Sequence, residues 1–255
     1  MQLFVRMTKK IVSIYLMLLM MLPLAKLEEI SSKPTTCVAI RSKYRITENG
    51  YFTLYDSTNK PYIAFCDFQS DPGFAWTLIE SLSTTSARSS KFRKSFSFNV
   101  PSNECTPNWT GYRLSKSKMT AIKSSASSTH FRATCNFNGQ SQKGLQNRDD
   151  YLRVSLCAYN YLLSTRNVWT CAIVDYINVR GHSCTKCSIP FYSSNAYHLF
   201  IHLPTSKSSC ARFTVPEMIT NEDAFGFYHN VNIKFSCTAN STSTTNWWIG
   251  GGYFD

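Results

Sequence analysis

Ten cysteines, Cys37, Cys66, Cys105, Cys135, Cys157, Cys171, Cys184, Cys187, Cys210 and Cys237, are spread over some 200 residues of a 255-residue chain. What they do to the fold depends on the redox compartment, and the N-terminus speaks to that. Arg6, Lys9 and Lys10 precede an apolar run from Ile11 to Ala25, about 15 residues and short of the roughly 20 that a membrane span requires. This is the pattern of a secretory signal peptide over residues 1–25, cut near Lys26; the rival reading is an uncleaved signal anchor. Outside the cytosol an even number of cysteines most simply forms disulfides, here five with no thiol left over. The spacing leaves their pairing open. The cysteines are not packed as in a knottin, and 36 aromatic residues supply core area, so the bonds staple a domain that already has a core. Disorder throughout, collagen, coiled coil and multi-span membrane architectures are excluded by the same composition and by the lack of any Gly period or heptad.

Residues 26–36 read as a polar linker ahead of one domain, 37–255. From Cys37 the pattern turns to strands. Tyr51 to Tyr55, Tyr62 to Phe68 and Phe74 to Leu82 are aromatic and β-branched, with turn signals between them, and form a meander over residues 37–82. The remainder, 83–255, opens with a Ser-rich basic stretch holding eight Lys or Arg and one acid, Glu104. Within it Ser115 stands as a helix cap, Leu114 and Met119 are placed for a hydrophobic staple, and a short helix from Lys116 to Lys123 follows. Thr129 to Phe137 alternates apolar and polar residues with period two, as a half-buried strand does. Tyr151 to Leu156, Val168 to Val179, Ala196 to Leu203 and Val231 to Cys237 are further strands, antiparallel because no long amphipathic helix connects them; Asn138 to Asp150 is a loop. The fold class is α+β, mainly antiparallel sheet with short helices.

The ordered string Cys37, Asn49-Gly50-Tyr51, Phe65-Cys66-Asp67-Phe68 and Gly73-Phe74-Ala75-Trp76-Thr77 resembles the opening of a fibrinogen-like C-terminal domain, of the divergent kind found in fibrinogen-related secreted proteins of invertebrates. The match runs over residues 37–80, with a looser likeness from Trp109 to Arg132. The resemblance implies a disulfide between Cys37 and Cys66, and a later one from Cys171 to Cys184 or Cys187. It also implies recognition of extracellular glycans or glycoproteins, or else a place in an extracellular or skeletal matrix. The family's calcium loop and W-W-x-x-C stretch have no counterpart: beyond Tyr151 the acids are Asp175, Glu217, Glu222, Asp223 and Asp255, and Trp247-Trp248 is followed by Ile249 and three glycines. Calcium takes six to eight oxygen ligands, and Glu222-Asp223 reads as a solvated turn, so no metal or other cofactor is expected.

Other constellations weigh toward structure. Cys184-Thr-Lys-Cys187 lies beside Arg180, His182 and Lys186, which would favour a thiolate, but an exported CxxC without a second pair is more simply two half-cystines. His198 and His202 lack the Glu of HExxH and would share the solvent side of a strand with Phe200. No GxSxG, Walker or GxGxxG motif is present, so catalysis is not expected. Asn108-Trp-Thr and Asn240-Ser-Thr are N-glycosylation acceptors. Without the three N-terminal basic residues, 24 Lys plus Arg face 15 Asp plus Glu, a net charge of +9. A basic face including Arg93, Lys94, Lys116 and Lys118 would draw acidic polysaccharides or matrix glycoproteins over about a Debye length. The expected protein is therefore a secreted, non-catalytic binding module with extracellular partners, no nucleic acid, and no stable membrane insertion after signal cleavage.

Overall fold

A computed structural model describes residues 33–137, 150–164, 168–202, 210, 213–219 and 222–253. The expected signal peptide, most of the expected linker and residues 138–149 lie outside the described residues. The main sheet contains β1 (Gly50–Tyr55), β2 (Pro61–Asp67), β3 (Phe74–Ser83), β4 (Gly111–Arg113), β5 (His130–Cys135), β6 (Tyr151–Ser155), β8 (Tyr176–Val179), β9 (His182–Thr185) and β13 (Thr244–Gly252). Their order is β1-β2-β3-β13-β5-β6-β8-β9, with β4 also on β3, and every pairing is antiparallel. A second sheet has the order β12-β11-β10-β7, built from β7 (Val168–Ile173), β10 (Ser188–Ser193), β11 (Phe200–His202) and β12 (Asp223–Ala224). The helices are α1 (Cys37–Tyr44), α2 (Thr84–Ala87) and α3 (Lys116–Ser124).

The last strand is the centre of the main sheet. β13 enters between β3 and β5, and Trp247, Trp248 and Ile249 are all buried there. Its glycines explain why such a Gly-rich run can be a central strand: a Cβ on Gly250 would lie 2.1 Å from the Ala75 carbonyl oxygen, and one on Gly251 2.1 Å from that of Ser127. Only glycine allows backbones to approach so closely.

Several sequence expectations are corrected. Cys37 begins a helix and not a strand, because Thr36 Oγ1 accepts the Ala39 N–H (3.1 Å) as an N-cap and Arg45 closes the C-terminus in the left-handed region. The expected strand Val168 to Val179 is two strands in different sheets. The chain changes layer at Val174 and Asp175, whose N–H groups donate to Cys187 and Arg153 carbonyls, both at 2.9 Å. Val231 to Cys237 is irregular backbone entering a 3-10 turn at Ser236–Thr238, and of the described part of Ala196 to Leu203, residues 196–202, only Phe200–His202 is strand. α3 has Ser115 at its N-cap position with Leu114 and Met119 buried beside it, but the Ser115 side chain makes no cap bond; Asn99 Oδ1 accepts the Lys116 N–H instead, at 3.0 Å.

Four disulfides join Cys37 to Cys66, Cys135 to Cys237, Cys171 to Cys210 and Cys184 to Cys187. The expected link from Cys171 to Cys184 or Cys187 is replaced because those two flank the short turn between β9 and β10 and face each other, while Cys171 on β7 reaches Cys210. Cys105 and Cys157 are unpaired and exposed. The expectation of five bonds therefore fails: each of these two sits in its own surface turn, near Asn103 and Ser155 respectively.

Across the two central strands lies a buried ion cluster. Arg132 of β5 pairs with Asp67 (2.5 Å) and Asp71 (2.9 Å), and none of the three side chains is more than 1% exposed. Its guanidinium lies 4.6 Å from the rings of both Trp76 and Trp248, while Tyr151 donates its hydroxyl to Asp71 (2.5 Å). Burial pushes the Asp67 carboxyl up, but the Arg132 charge and hydrogen bonds from Ser70 outweigh it, so its pKa falls below the usual carboxylate range.

Candidate functional site

The second sheet has two unlike faces, set by the alternation of its strands. Ile189 and Phe191 of β10, Ala172 of β7 and Ile201 of β11 point inward and are buried. Phe191 meets Phe131 of β5 and Tyr159, with ring centroids 6.3 and 4.6 Å apart, which fastens the two sheets together. The outward face carries aromatic rings in register. Trp169 stands opposite Tyr192, and Tyr192 opposite Phe200. Centroid distances along the row are 5.5 Å for Trp169 to Tyr192, 5.4 Å for Tyr192 to Phe200 and 5.3 Å for Phe200 to Phe227. Tyr197 packs on Phe227 (4.7 Å) and Tyr192 (5.9 Å), and His202 closes on Trp169 at 6.2 Å.

Phe200 and Phe227 are the buried base of this row, whereas Trp169 is 51% and Tyr197 38% exposed. Single exposed apolar residues need no explanation, but an aromatic row in which Trp169 and Tyr197 stand exposed on a packed base marks an interaction surface. Cross-strand aromatic pairs stabilise the sheet as well, by roughly 0.2–1 kcal/mol each. That accounts for Phe200 but not for leaving Trp169 in water.

Three local devices position the row. Gly226 passes so close to the residue preceding β11 that a Cβ there would fall 1.9 Å from the Leu199 carbonyl oxygen, and this approach brings Phe227 against Tyr197 and Phe200. Ser194 Oγ accepts the N–H groups of Ala196 (3.2 Å) and Tyr197 (3.1 Å), which fixes the turn presenting Tyr197. His198, next in the chain, points the other way: it is 1% exposed, its Nε2 lies 2.8 Å from Glu80 Oε1, and its Nδ1 is 2.8 Å from the Leu199 carbonyl. Glu80 also pairs with the buried Arg113 at 3.2 Å, so this turn is tethered to β3 of the main sheet. His198 and His202 therefore do not share a solvent face as expected.

The basic residues behave less uniformly than their clustering in sequence implies. Arg93 is half-buried, with its guanidinium 5.0 Å from the Phe227 ring, at the edge of the aromatic row. Lys94 is exposed, with its ammonium 5.6 Å from the Phe98 ring. Lys116 is half-buried, and Lys118 is paired with Glu104 at 3.1 Å. Arg113 is inside the core, and Lys123 donates to the Asn160 carbonyl (2.7 Å), burial lowering its pKa. Of the candidate set Arg93, Lys94, Lys116 and Lys118, Arg93 is the residue shown in contact with the row.

A separate cavity of about 580 Å³ is lined by Asp150, Arg180, His182, Glu217, Lys234 and Ser236 among others. Its charges already have partners. Arg180 binds Glu222 at 2.5 Å and the Pro216 carbonyl at 2.8 Å, Lys234 pairs with Glu217, and Asp150 accepts the Arg180 and Ser236 N–H groups, both at 2.6 Å. Glu222 is thus buried and ion-paired, which corrects the reading of Glu222-Asp223 as a solvated turn. Asp175 also has close partners: burial raises its pKa, but contacts with His130 and Lys186 outweigh this and hold it down at about 2. Among the described residues no group of three or more His, Cys, Asp or Glu is placed to hold a metal ion, and no helix is long and apolar enough to cross a membrane. Asn108 is half-buried and Asn240 exposed.

No family model matches this chain, and no curated protein matches it.

The aromatic row was not legible beforehand. Trp169 and Tyr192 are 23 residues apart, and Phe227 lies in no strand. A hint existed in the outward alternation of Trp169, Cys171 and Ile173, which the reading as one long strand to Val179 obscured.

Proposed function

We propose that this chain is an exported, non-catalytic binding module that takes an extracellular glycan, free or on a glycoprotein, across the outer face of its second sheet. One observation carries the reading: the in-register row Trp169, Tyr192 and Phe200, continued by Phe227 and Tyr197 and edged by Arg93. Indole and phenol rings offer flat apolar faces to the C–H side of a sugar, while the Tyr hydroxyl and indole N–H serve its hydroxyl edge. Arg93 and His202 add cationic or hydrogen-bonding groups at the margins, which suits acidic sugars. The likeness of residues 37–80 to a fibrinogen-like domain belongs to the same proposal, supported by the antiparallel sheet and the Cys37–Cys66 bond.

The test is a glycan array, including sulfated and uronic-acid polymers, run with the mature protein and with Trp169→Ala and Tyr197→Ala. Each substitution should weaken binding about ten-fold or more, as loss of a central aromatic anchor does at interfaces. Binding that survives both changes sinks the proposal. Salt should weaken acidic ligands selectively. A second reading, a structural component of an extracellular or skeletal matrix, is favoured by the exposed unpaired Cys105 and Cys157, which could link copies. Higher-order bands that collapse on reduction, in protein isolated from matrix, would support it.

A further inference from the structure

A cavity of about 440 Å³ opens between residues 84–88 and 231–241 and shares no lining residue with the charged cavity described above. Its lining combines polar groups, Thr84, Thr85 and Ser241, with Val231 and Ile233. Ile233 is 74% exposed, the most exposed of the large hydrophobic residues described. The walls are fixed. Thr84 N–H donates to the Ser243 carbonyl (2.8 Å), Thr85 N–H to that of Ser241 (3.2 Å), and Thr84 Oγ1 to that of Cys237 (2.9 Å). Cys237 is itself held to β5 by its disulfide.

Asn240 stands on the rim of this cavity. Its Oδ1 accepts the N–H groups of Thr242 and Ser243, both at 2.9 Å, and the Thr242 hydroxyl at 2.7 Å. The carboxamide oxygen is thus turned into the loop, and the Nδ2 end is left for substitution. Asn108, the other acceptor sequence, makes a similar turn, its Oδ1 accepting the Thr110 and Gly111 N–H groups at 3.0 and 2.8 Å, but it is half-buried where Asn240 is exposed, and the Trp109 that follows packs on Phe65 and Phe137 at 5.1 and 5.7 Å.

We propose that Asn240 carries an N-linked glycan whose first sugar lies in the 440 Å³ cavity and covers Ile233. The proposal rests on export of the chain but not on what the aromatic row binds. In the transfer, Asn240 Nδ2 forms a bond to the anomeric carbon of the first N-acetylhexosamine of a lipid-pyrophosphate oligosaccharide. The bond from that carbon to the phosphate oxygen breaks, the lipid pyrophosphate leaves with the electron pair, and one amide proton passes to a base. The apolar face and acetyl group of the sugar then meet Val231 and Ile233, and its hydroxyls meet Thr85 and Ser241. The intramolecular contact needs no second binding event, so its effective concentration is high.

The experiment uses protein secreted from a glycosylating eukaryotic host. Intact mass should show one N-glycan on the wild type and on Asn108→Gln, and none on Asn240→Gln. Hydrogen exchange is then compared for three forms: the intact glycan, a form trimmed enzymatically to one remaining sugar, and Asn240→Gln. Amides of residues 231–241 should exchange about ten-fold faster without the sugar, the effect of losing partial burial of one isoleucine, and the single-sugar form should behave as the intact one. In Ile233→Ser the difference between glycosylated and sugar-free protein should largely vanish. An unmodified Asn240 overturns the proposal, and so does a glycan there whose removal leaves exchange at 231–241 unchanged. Glycan-array binding of Asn240→Gln, which should match wild type, keeps this outcome separate from failure of the aromatic site.

Discussion

Replacing Arg132 by Met removes a charge from the centre of the main sheet while keeping a side chain of similar length. Two buried carboxylates, Asp67 and Asp71, then lose ion pairs of 2.5 and 2.9 Å, and Trp76 and Trp248 lose the cation stacked on them. Leaving one member of a buried pair without its partner costs about 3–5 kcal/mol. Some compensation remains: Asp67 keeps the Ser70 and Gln69 N–H groups at 3.1 and 3.2 Å, and Asp71 keeps the Tyr151 hydroxyl. A loss of about 4 kcal/mol is therefore expected at pH 7, out of a total of about 5–15 for a domain. With a urea slope of about 2–3 kcal/mol/M the midpoint should fall by about 1.3–2 M. The pH dependence tests the cause. In the wild type the Asp67 pKa is depressed, so its contribution is complete above the unfolded value near 3.9 and is lost as pH falls through the lower folded value. Stability should then be nearly flat from pH 7 to 5. In Arg132→Met burial is no longer opposed by a cation, the folded carboxyl binds a proton more readily than the unfolded one, and the variant should regain stability over that range. Urea titrations at pH 7, 6 and 5 measure both. A gap below about 1 kcal/mol, or one that does not narrow on acidification, would show that Arg132 acts by packing alone and would refute the electrostatic argument.

Two thiols should titrate in the native protein, at Cys105 and Cys157; ten blocked cysteines, or reactive thiols at Cys184 and Cys187, would contradict the pairing described here. Gly250→Ala should destabilise by at least about 3 kcal/mol or prevent secretion, since its Cβ would meet the Ala75 carbonyl. Gly252→Ala, whose Cβ would find only the Gly73 carbonyl at 3.6 Å, should be close to neutral and serves as its control.

Local patterning identified much of the main sheet. β1, β2, β3, β5 and β6 lie within a residue or two of the stretches from which they were expected, because aromatic and β-branched runs bounded by turn signals, and in β5 the alternation of faces, are local properties of the chain. The helix at Lys116 was legible for the same reason, through the apolar spacing of Leu114 and Met119. Thr36, by contrast, reads as linker until its hydroxyl is seen capping α1. Trp247 to Gly252 carries a mixed signal, since Trp and Ile favour strands and its three glycines disfavour them. It becomes the central strand only because Ala75 and Ser127 leave no room for a Cβ. Alternation also says nothing about which sheet a strand joins, so Val168 to Val179 seemed one element where the fold uses two. Cysteine count and the N-terminal apolar run spoke to compartment, but pairing depends on which turns face one another. Charge along the sequence likewise did not reveal that Arg113 and Arg132 are core residues matched to Glu80, Asp67 and Asp71. The candidate site belongs wholly to this second class. Its aromatic row is a matter of register between β7, β10 and β11 and of the close passage of Gly226, contacts between residues far apart in the chain that only the packed structure brings together.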